Sequence, residues 1–178
     1  MATAAGAGLT VRTLHLLRHA KSSWDDAGLP DHDRPLAPRG IRAATRMEEH
    51  LRDEDVRPDL VLCSSAVRAR QTLDHVTPAL GDALVKIEPS IYAASADDIL
   101  ELLRGLAEPI RSVMVVGHNP GLQDLAVHLA AGGSRLDELT EKYPTGALAT
   151  LVFESDSWAG IGAHQAELSG YAVPRELD

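Results

Sequence analysis

One cysteine in 178 residues leaves no disulfide possible within the chain, and a lone Cys63 suits a reducing compartment, so the expected setting is the cytoplasm. Aromatic residues are also scarce, with one Phe, two Trp and three Tyr, so the core has to be aliphatic. No apolar run approaches the roughly 20 residues needed to span a bilayer. The opening MATAAGAGLT lacks both the basic stretch and the long apolar stretch of a secretory signal. Residues 1–12 are therefore expected to form a flexible leader and 13–178 a single domain. Positive charge is in short supply: 17 Lys and Arg stand against 26 Asp and Glu, a net charge of −9. A surface negative overall repels nucleic acid and anionic membranes, so neither is an expected partner, and any anion site has to be a local concentration of cations. There is no HExxH pair, no carboxylate cluster at metal-site spacing, no GxxxxGK[ST] loop and no GxSxG elbow. No metal and no cofactor are expected.

What is present is an alternation of short apolar runs with longer segments of helical period. That pattern predicts a three-layer α/β/α sandwich, a mostly parallel central sheet with helices on both faces. The first strand reads TLHLL at 13–17. A helix follows from Pro38, whose fixed φ suits a first helical position, with Ile41, Ala44 and Leu51 on its apolar side. DLVLC at 59–63 is a buried strand, and Ser64 or Ser65 can cap the next helix, which carries Val67, Leu73 and Val76. ALVKI at 83–87 is a third strand, followed by a helix favoured at its start by Asp97 and Asp98. Val113 to Val116 form a fourth strand, after which Asn119 is a cap and Pro120 a first helical residue. Residues 146–153 and 161–169 are expected as late strands at a sheet edge.

In a parallel sheet the loops after successive strands gather on one rim, where ligands of open α/β folds bind. Three such loops are chemically unusual: Arg18-His19-Ala20-Lys21, Ser64 through Arg70, and Gly117-His118-Asn119-Pro120. Two imidazoles and at least two guanidinium groups converging there suit a phosphoryl group, because planar guanidinium forks match its oxygens and helix N-termini add N–H donors. An imidazole is the one group among them that is both nucleophilic and deprotonated near neutral pH, so one histidine could carry the phosphoryl group covalently. Arg68 and Arg70 compete for the second guanidinium position; two residues apart on a helix, they lie about 200° apart, so one of them faces the pocket. His15, on a strand, reads as structural, and His32, His50, His75, His128 and His164 as surface or packing residues. Arg34 is expected to pair with Asp31 or Asp33, and Lys21 to touch phosphate or simply to solvate its loop.

Leu17-Arg18-His19-Ala20, Ser64-x-x-x-Arg68-Ala69-x-Gln71-Thr72 and Val116-Gly117-His118-Asn119, taken in this order, resemble the histidine phosphatase (phosphoglycerate mutase-like) superfamily. DHDRPLAPRG at 31–40 and KYPTGAL at 142–148 are similar to segments of its short bacterial members, the SixA-type phosphohistidine phosphatases. The resemblance implies a phosphoglycerate mutase-like fold, a nucleophilic His19, and Arg18, Arg68 and His118 around the phosphate. It also implies a metal-independent phosphatase working through a phosphohistidine intermediate, on a phosphorylated protein or a small phosphorylated substrate. Nothing in the residues indicates an oligomeric state.

The sequence also departs from the family pattern. Ala20 and Lys21 stand where RHG is often followed by Glu or Gln, and Trp24 is followed by Asp25, a carboxylate that would repel phosphate where mutases typically carry Asn. Larger members supply a carboxyl group as general acid, and here Glu88, after the third strand, is a candidate without the usual surrounding sequence. Lacking a placed acid, the enzyme would favour a substrate whose leaving group departs easily, such as phosphohistidine. The alternatives are phosphoglycerate mutase-type transfer and a non-catalytic module that binds phosphorylated ligands.

Overall fold

The computed structural model describes residues 10–177. Among them, strands and helices run β1 (Val11–Arg18), α1 (Pro38–Asp53), β2 (Leu60–Cys63), α2 (Val67–Val76), β3 (Leu84–Ile87), α3 (Ala96–Arg104), β4 (Ser112–Gly117), α4 (Gly121–Leu129), β5 (Ala130–Gly132), α5 (Leu136–Glu141), β6 (Leu148–Glu154) and β7 (Ala166–Ala172). The strands form one sheet in the order β3-β2-β4-β1-β6-β7-β5. Parallel pairing joins β1 to β4, β4 to β2, β2 to β3 and β5 to β7, while β6 lies antiparallel to both β1 and β7.

Strand alternation sends β1 side chains to two cores. Leu14 and Leu16 pack with Leu103 of α3, Leu125 of α4 and Leu139 of α5. Leu17 packs on the other face with Met47 and Leu51 of α1 and Leu73 and Val76 of α2. Helices therefore cover both faces, giving the three layers expected. No helix among the described residues is long and apolar enough to cross a membrane.

Several local expectations shift. The leader falls mostly on residues 1–9, outside the described residues, but Val11 and Arg12 already belong to β1, where buried Arg12 donates to the Asp156 carbonyl at 2.6 Å. α1 begins at Pro38 as expected, yet Ile41 is exposed, so Met47 supplies apolar contact alongside Ala44 and Leu51. Neither Ser64 nor Ser65 caps α2; Ala66 takes that position, and Ser64 Oγ instead accepts from the Ala66 N–H at 3.2 Å within the turn. α4 starts one residue late, with Pro120 at the cap position, although Asn119 Oδ1 still accepts from the Gln123 N–H at 3.3 Å. Neither late strand is an edge: β6 lies between β1 and β7, and β7 is covered by the short β5, which takes the end of the sheet. At α3 the start is set by a reciprocal capping box between Ser95 and Asp98.

Candidate active site

Sheet order brings the three charged loops together. β2, β4 and β1 are neighbours, and the register pairs Cys63 with Val116 and Arg18 with Gly117, so Ser64, His118 and His19 each emerge just past a paired strand end. The His19 N–H donates to the Gly117 carbonyl and the Ser64 N–H to the Val116 carbonyl, both at 3.0 Å. Adjacent strands lie about 4.8 Å apart, and the His19 and His118 ring centroids are 5.1 Å apart.

Arg68 completes the cluster from the first turn of α2. Its side chain is buried, with Nε 3.4 Å from His19 Nε2, whereas Arg70 is exposed on the other side of the helix. Of the two competing guanidinium groups, the structure brings Arg68 to the imidazoles. The rest of the motif around it has a mechanical reading. Thr72 Oγ1 accepts from the Ala20 N–H at 2.9 Å, and Gln71 Oε1 accepts from the Leu36 N–H at 2.8 Å, so α2 fixes both the segment after His19 and the one entering α1. Arg18 Nη1 donates to the Tyr143 carbonyl at 2.7 Å, and Asn119 Nδ2 reaches the same oxygen at 3.1 Å.

A backbone hydrogen bond defines the His19 tautomer. His19 Nδ1 lies 2.7 Å from the Ala20 carbonyl, which can only accept, so Nδ1 carries the proton and Nε2 presents its lone pair. Ser64 Oγ accepts from the Ala66 N–H at 3.2 Å and is hydrogen-bonded to His118 Nε2 at 2.7 Å, a contact in which the hydroxyl can serve as donor or acceptor. On the other side of the ring, His118 Nδ1 is a buried atom with no partner among the described residues. Buried unpaired polar atoms are costly unless something fills them, and with the proton on Nδ1 a phosphoryl oxygen would fill this one.

Electrostatics agree. Burial, and then the nearby Arg68 and Arg18, lower the His19 pKa to about 4 despite the bond to Ala20. Burial, His19 and Arg68 take His118 to about 3. Arg18 is also lowered, first by burial and also by Arg68. The site thus holds two neutral imidazoles and two guanidinium groups that repel one another, a balance that a bound dianion reverses. Cys63, beneath the rim, has its thiol pushed up to about 12 by burial and is no nucleophile.

Not every expected residue converges. Lys21 is half-buried and lines a groove beside α1 instead of meeting the imidazoles. Glu88 is bonded to Lys86 Nζ at 2.9 Å and to Ser90 Oγ at 2.8 Å, and these contacts hold its carboxyl below the usual range, which is wrong for a proton donor. Arg34 does not pair with Asp31 or Asp33: it donates to the Asp26 carbonyl at 3.4 Å and lies 3.9 Å over the Trp24 ring. Asp31 is taken by Arg68 instead, accepting from Nη2 at 3.0 Å, while its backbone carbonyl accepts from Nη1 at 2.7 Å.

Three residues at the pocket mouth were not expected there from the sequence. Asp31 also accepts from the Tyr92 hydroxyl at 2.7 Å; that bond and the one to Arg68 keep the carboxylate ionised. Tyr92 packs edge-on against His118 at 5.6 Å and against His32 at 4.8 Å. His32, expected as a surface or packing residue, bonds Ser65 Oγ through Nε2 at 2.9 Å. The DHDRP segment was a family signal, but its spacing carried no indication that Asp31 reaches Arg68.

A covalent phosphoryl-transfer enzyme built on histidine is the class that this rim and sheet define. The model of the histidine phosphatase superfamily (branch 1) matches residues 14–92. The chain is 39% identical over 163 residues to an uncharacterized protein of Mycobacterium tuberculosis, covering 89% of this chain and all of that one. A solved structure from Nakamurella multipartitia, assigned as a phosphohistidine phosphatase SixA, superposes with a TM-score of 0.80 at 32% identity, over 92% of this chain and 96% of that one. The protein histidine phosphatase SixA solved with tungstate gives 0.75 at 25% identity, over 93% and 99%. The chain belongs to the histidine phosphatase superfamily, with a SixA-like fold and phosphatase activity.

Proposed function

We propose that the chain is a protein phosphohistidine phosphatase in which His19 is the nucleophile and Arg18, Arg68 and His118 hold the phosphoryl group. Residues 13–178 act as one catalytic domain, and a reducing cytoplasm is its setting. The carrying observation is the His19 ring itself: Nδ1 is pinned by the Ala20 carbonyl, and Nε2 is unprotonated and directed at Arg68.

His19 Nε2 attacks phosphorus as the bond from phosphorus to the leaving group breaks. The guanidinium groups and His118 Nδ1–H carry the charge on the equatorial oxygens. Water then attacks the phosphoryl-histidine, releasing inorganic phosphate and regenerating neutral His19. Positive charge comes from side chains, and among the described residues no group of three or more His, Cys, Asp or Glu is placed to hold a metal ion.

Leaving-group chemistry supports phosphohistidine over an alkyl ester. Both carboxylates near the rim, Asp31 and Glu88, are held in the ionised form, so neither donates a proton to an alkoxide. An imidazole protonated from solvent leaves unaided. The test is a turnover comparison of a phosphohistidine protein, an aryl phosphate and glycerate or sugar phosphates. Phosphohistidine should lead in kcat/KM, with the aryl ester second. Alkyl esters cleaved faster than phosphohistidine would refute this reading, as would isomerisation of phosphoglycerate outpacing hydrolysis.

A further inference from the structure

Beside the catalytic rim lies a second concentration of positive charge. A groove of about 510 Å³ is bordered by Lys21, Arg39, Arg42, Arg46 and Arg175 over a floor that includes Pro144 and Pro174, with no carboxylate in its lining. Among the described residues, none of these five side chains makes an ion pair or a side-chain hydrogen bond, in a chain of net charge −9 whose other arginines are largely paired. Arg39, Arg42 and Arg46 follow one another at three and four residues along α1, so they share one helix face and form a track about 10 Å long. All three are exposed. Five like charges left unpaired so close together repel each other, and a ligand anion removes that repulsion.

The groove borders the loop that carries His19. Lys21 follows His19 by two residues, and Gly146, next to Thr145 on the groove wall, donates its N–H to the His19 carbonyl at 3.0 Å. A molecule presenting its phosphoryl group to His19 therefore has this track beside it. At its far end the charge changes sign: Arg46 also borders a cleft with Glu49, Asp53 and Glu176. The basic stretch is thus bounded, running from Lys21 through Arg39 and Arg42.

We propose that this groove is a docking site for an acidic segment of the phosphohistidine-bearing protein, one that engages α1 while the phosphohistidine enters the rim. The proposal rests on the phosphohistidine reading above. The length of the track and its partly apolar floor suit a polypeptide with several carboxylates, where a single small phosphate would leave most of the groove unfilled. Long, exposed cations act mainly through encounter and KM, and are screened by salt.

The test is Arg39→Glu/Arg42→Glu in the full chain, with Arg111→Glu as a control, since that arginine is exposed and its side chain has no ion pair among the described residues. Each is assayed on an acidic phosphohistidine protein and on an aryl phosphate at low and high salt. The double variant should lose at least tenfold in kcat/KM on the protein at low salt, mostly in KM, and less than twofold on the aryl phosphate; the gap should shrink in about 0.5 M salt. Arg111→Glu should change neither. Equal loss on both substrates, or none on the protein, overturns the docking site while leaving the phosphohistidine reading intact. Selective loss on a small bisphosphorylated substrate would assign the groove to a second phosphate and overturn it as well. A wild-type chain inactive on the phosphoprotein would bring down both.

Discussion

Asp31 holds Arg68 through its carboxylate and its backbone carbonyl, and Arg68 in turn lies against His19. In Asp31→Asn the charge is lost while the shape is kept, and a charge-assisted bond is worth about 1.5–3 kcal/mol. We predict a fall in kcat/KM of roughly ten- to a hundredfold by steady-state kinetics, with the fold unchanged by circular dichroism. Ser64 Oγ holds the His118 ring through Nε2 at 2.7 Å, so Ser64→Ala should cost about fivefold in kcat, from the loss of one orienting hydrogen bond of about 1 kcal/mol. The pH dependence follows from burial. With His19 lowered to about 4, its neutral form persists well below pH 6. After correction for substrate ionisation, kcat/KM should therefore stay level on the acid side until near pH 5. An acid limb centred at 6.5 would mean that His19 titrates as though in water.

At the scale of elements, the loop following β1 is seated on α1 by close backbone contact. A Cβ on Gly40 would stand 2.1 Å from the Lys21 carbonyl oxygen, which already accepts from the Ala37 N–H at 2.8 Å. Backbone on both sides cannot yield as a side chain can. Gly40→Ala should destabilise by about 1–3 kcal/mol in urea titration and lower kcat as well, because the His19 loop moves with it. Gly160, with nothing within 4 Å of its Cβ position, serves as the tolerant comparison, expected within about 0.5 kcal/mol. The elements themselves were largely readable from hydrophobic period: Pro38 opened α1 as expected, and the opposition of Arg68 to Arg70 followed from helical geometry alone. The segment between His19 and Pro38 was not readable. Its course is set by side chains reaching across the fold, as Gln71 does to Leu36 and Arg68 to Asp31, and no local period records such contacts. β6 was misplaced at an edge because strand order is decided by pairing partners, which a single strand's residues do not reveal.

Across the whole molecule, buried His15 and His19 and half-buried His118 stay neutral when folded: the first two are lowered to about 4 and His118 to about 3. Unfolded, each binds a proton below about 6.5. The unfolded state therefore takes up more protons as pH falls, and stability declines from about pH 6.5 down to about 4. Thermal melts across that range should show Tm dropping, and inorganic phosphate should restore part of the loss by binding the folded site. A Tm unchanged between pH 7 and 4.5 would contradict buried neutral imidazoles. The acidic surface and the confined basic rim belong together in this account: overall repulsion of anions makes the few sites that attract them selective. The most direct test of the central claim is a denaturing alkaline quench during turnover of labelled phosphohistidine protein, followed by peptide mapping and phosphorus NMR. Phosphate bonded to Nε2 of His19, and absent in His19→Ala, is the predicted result; label on His118, or turnover with no labelled enzyme at any time, would contradict it.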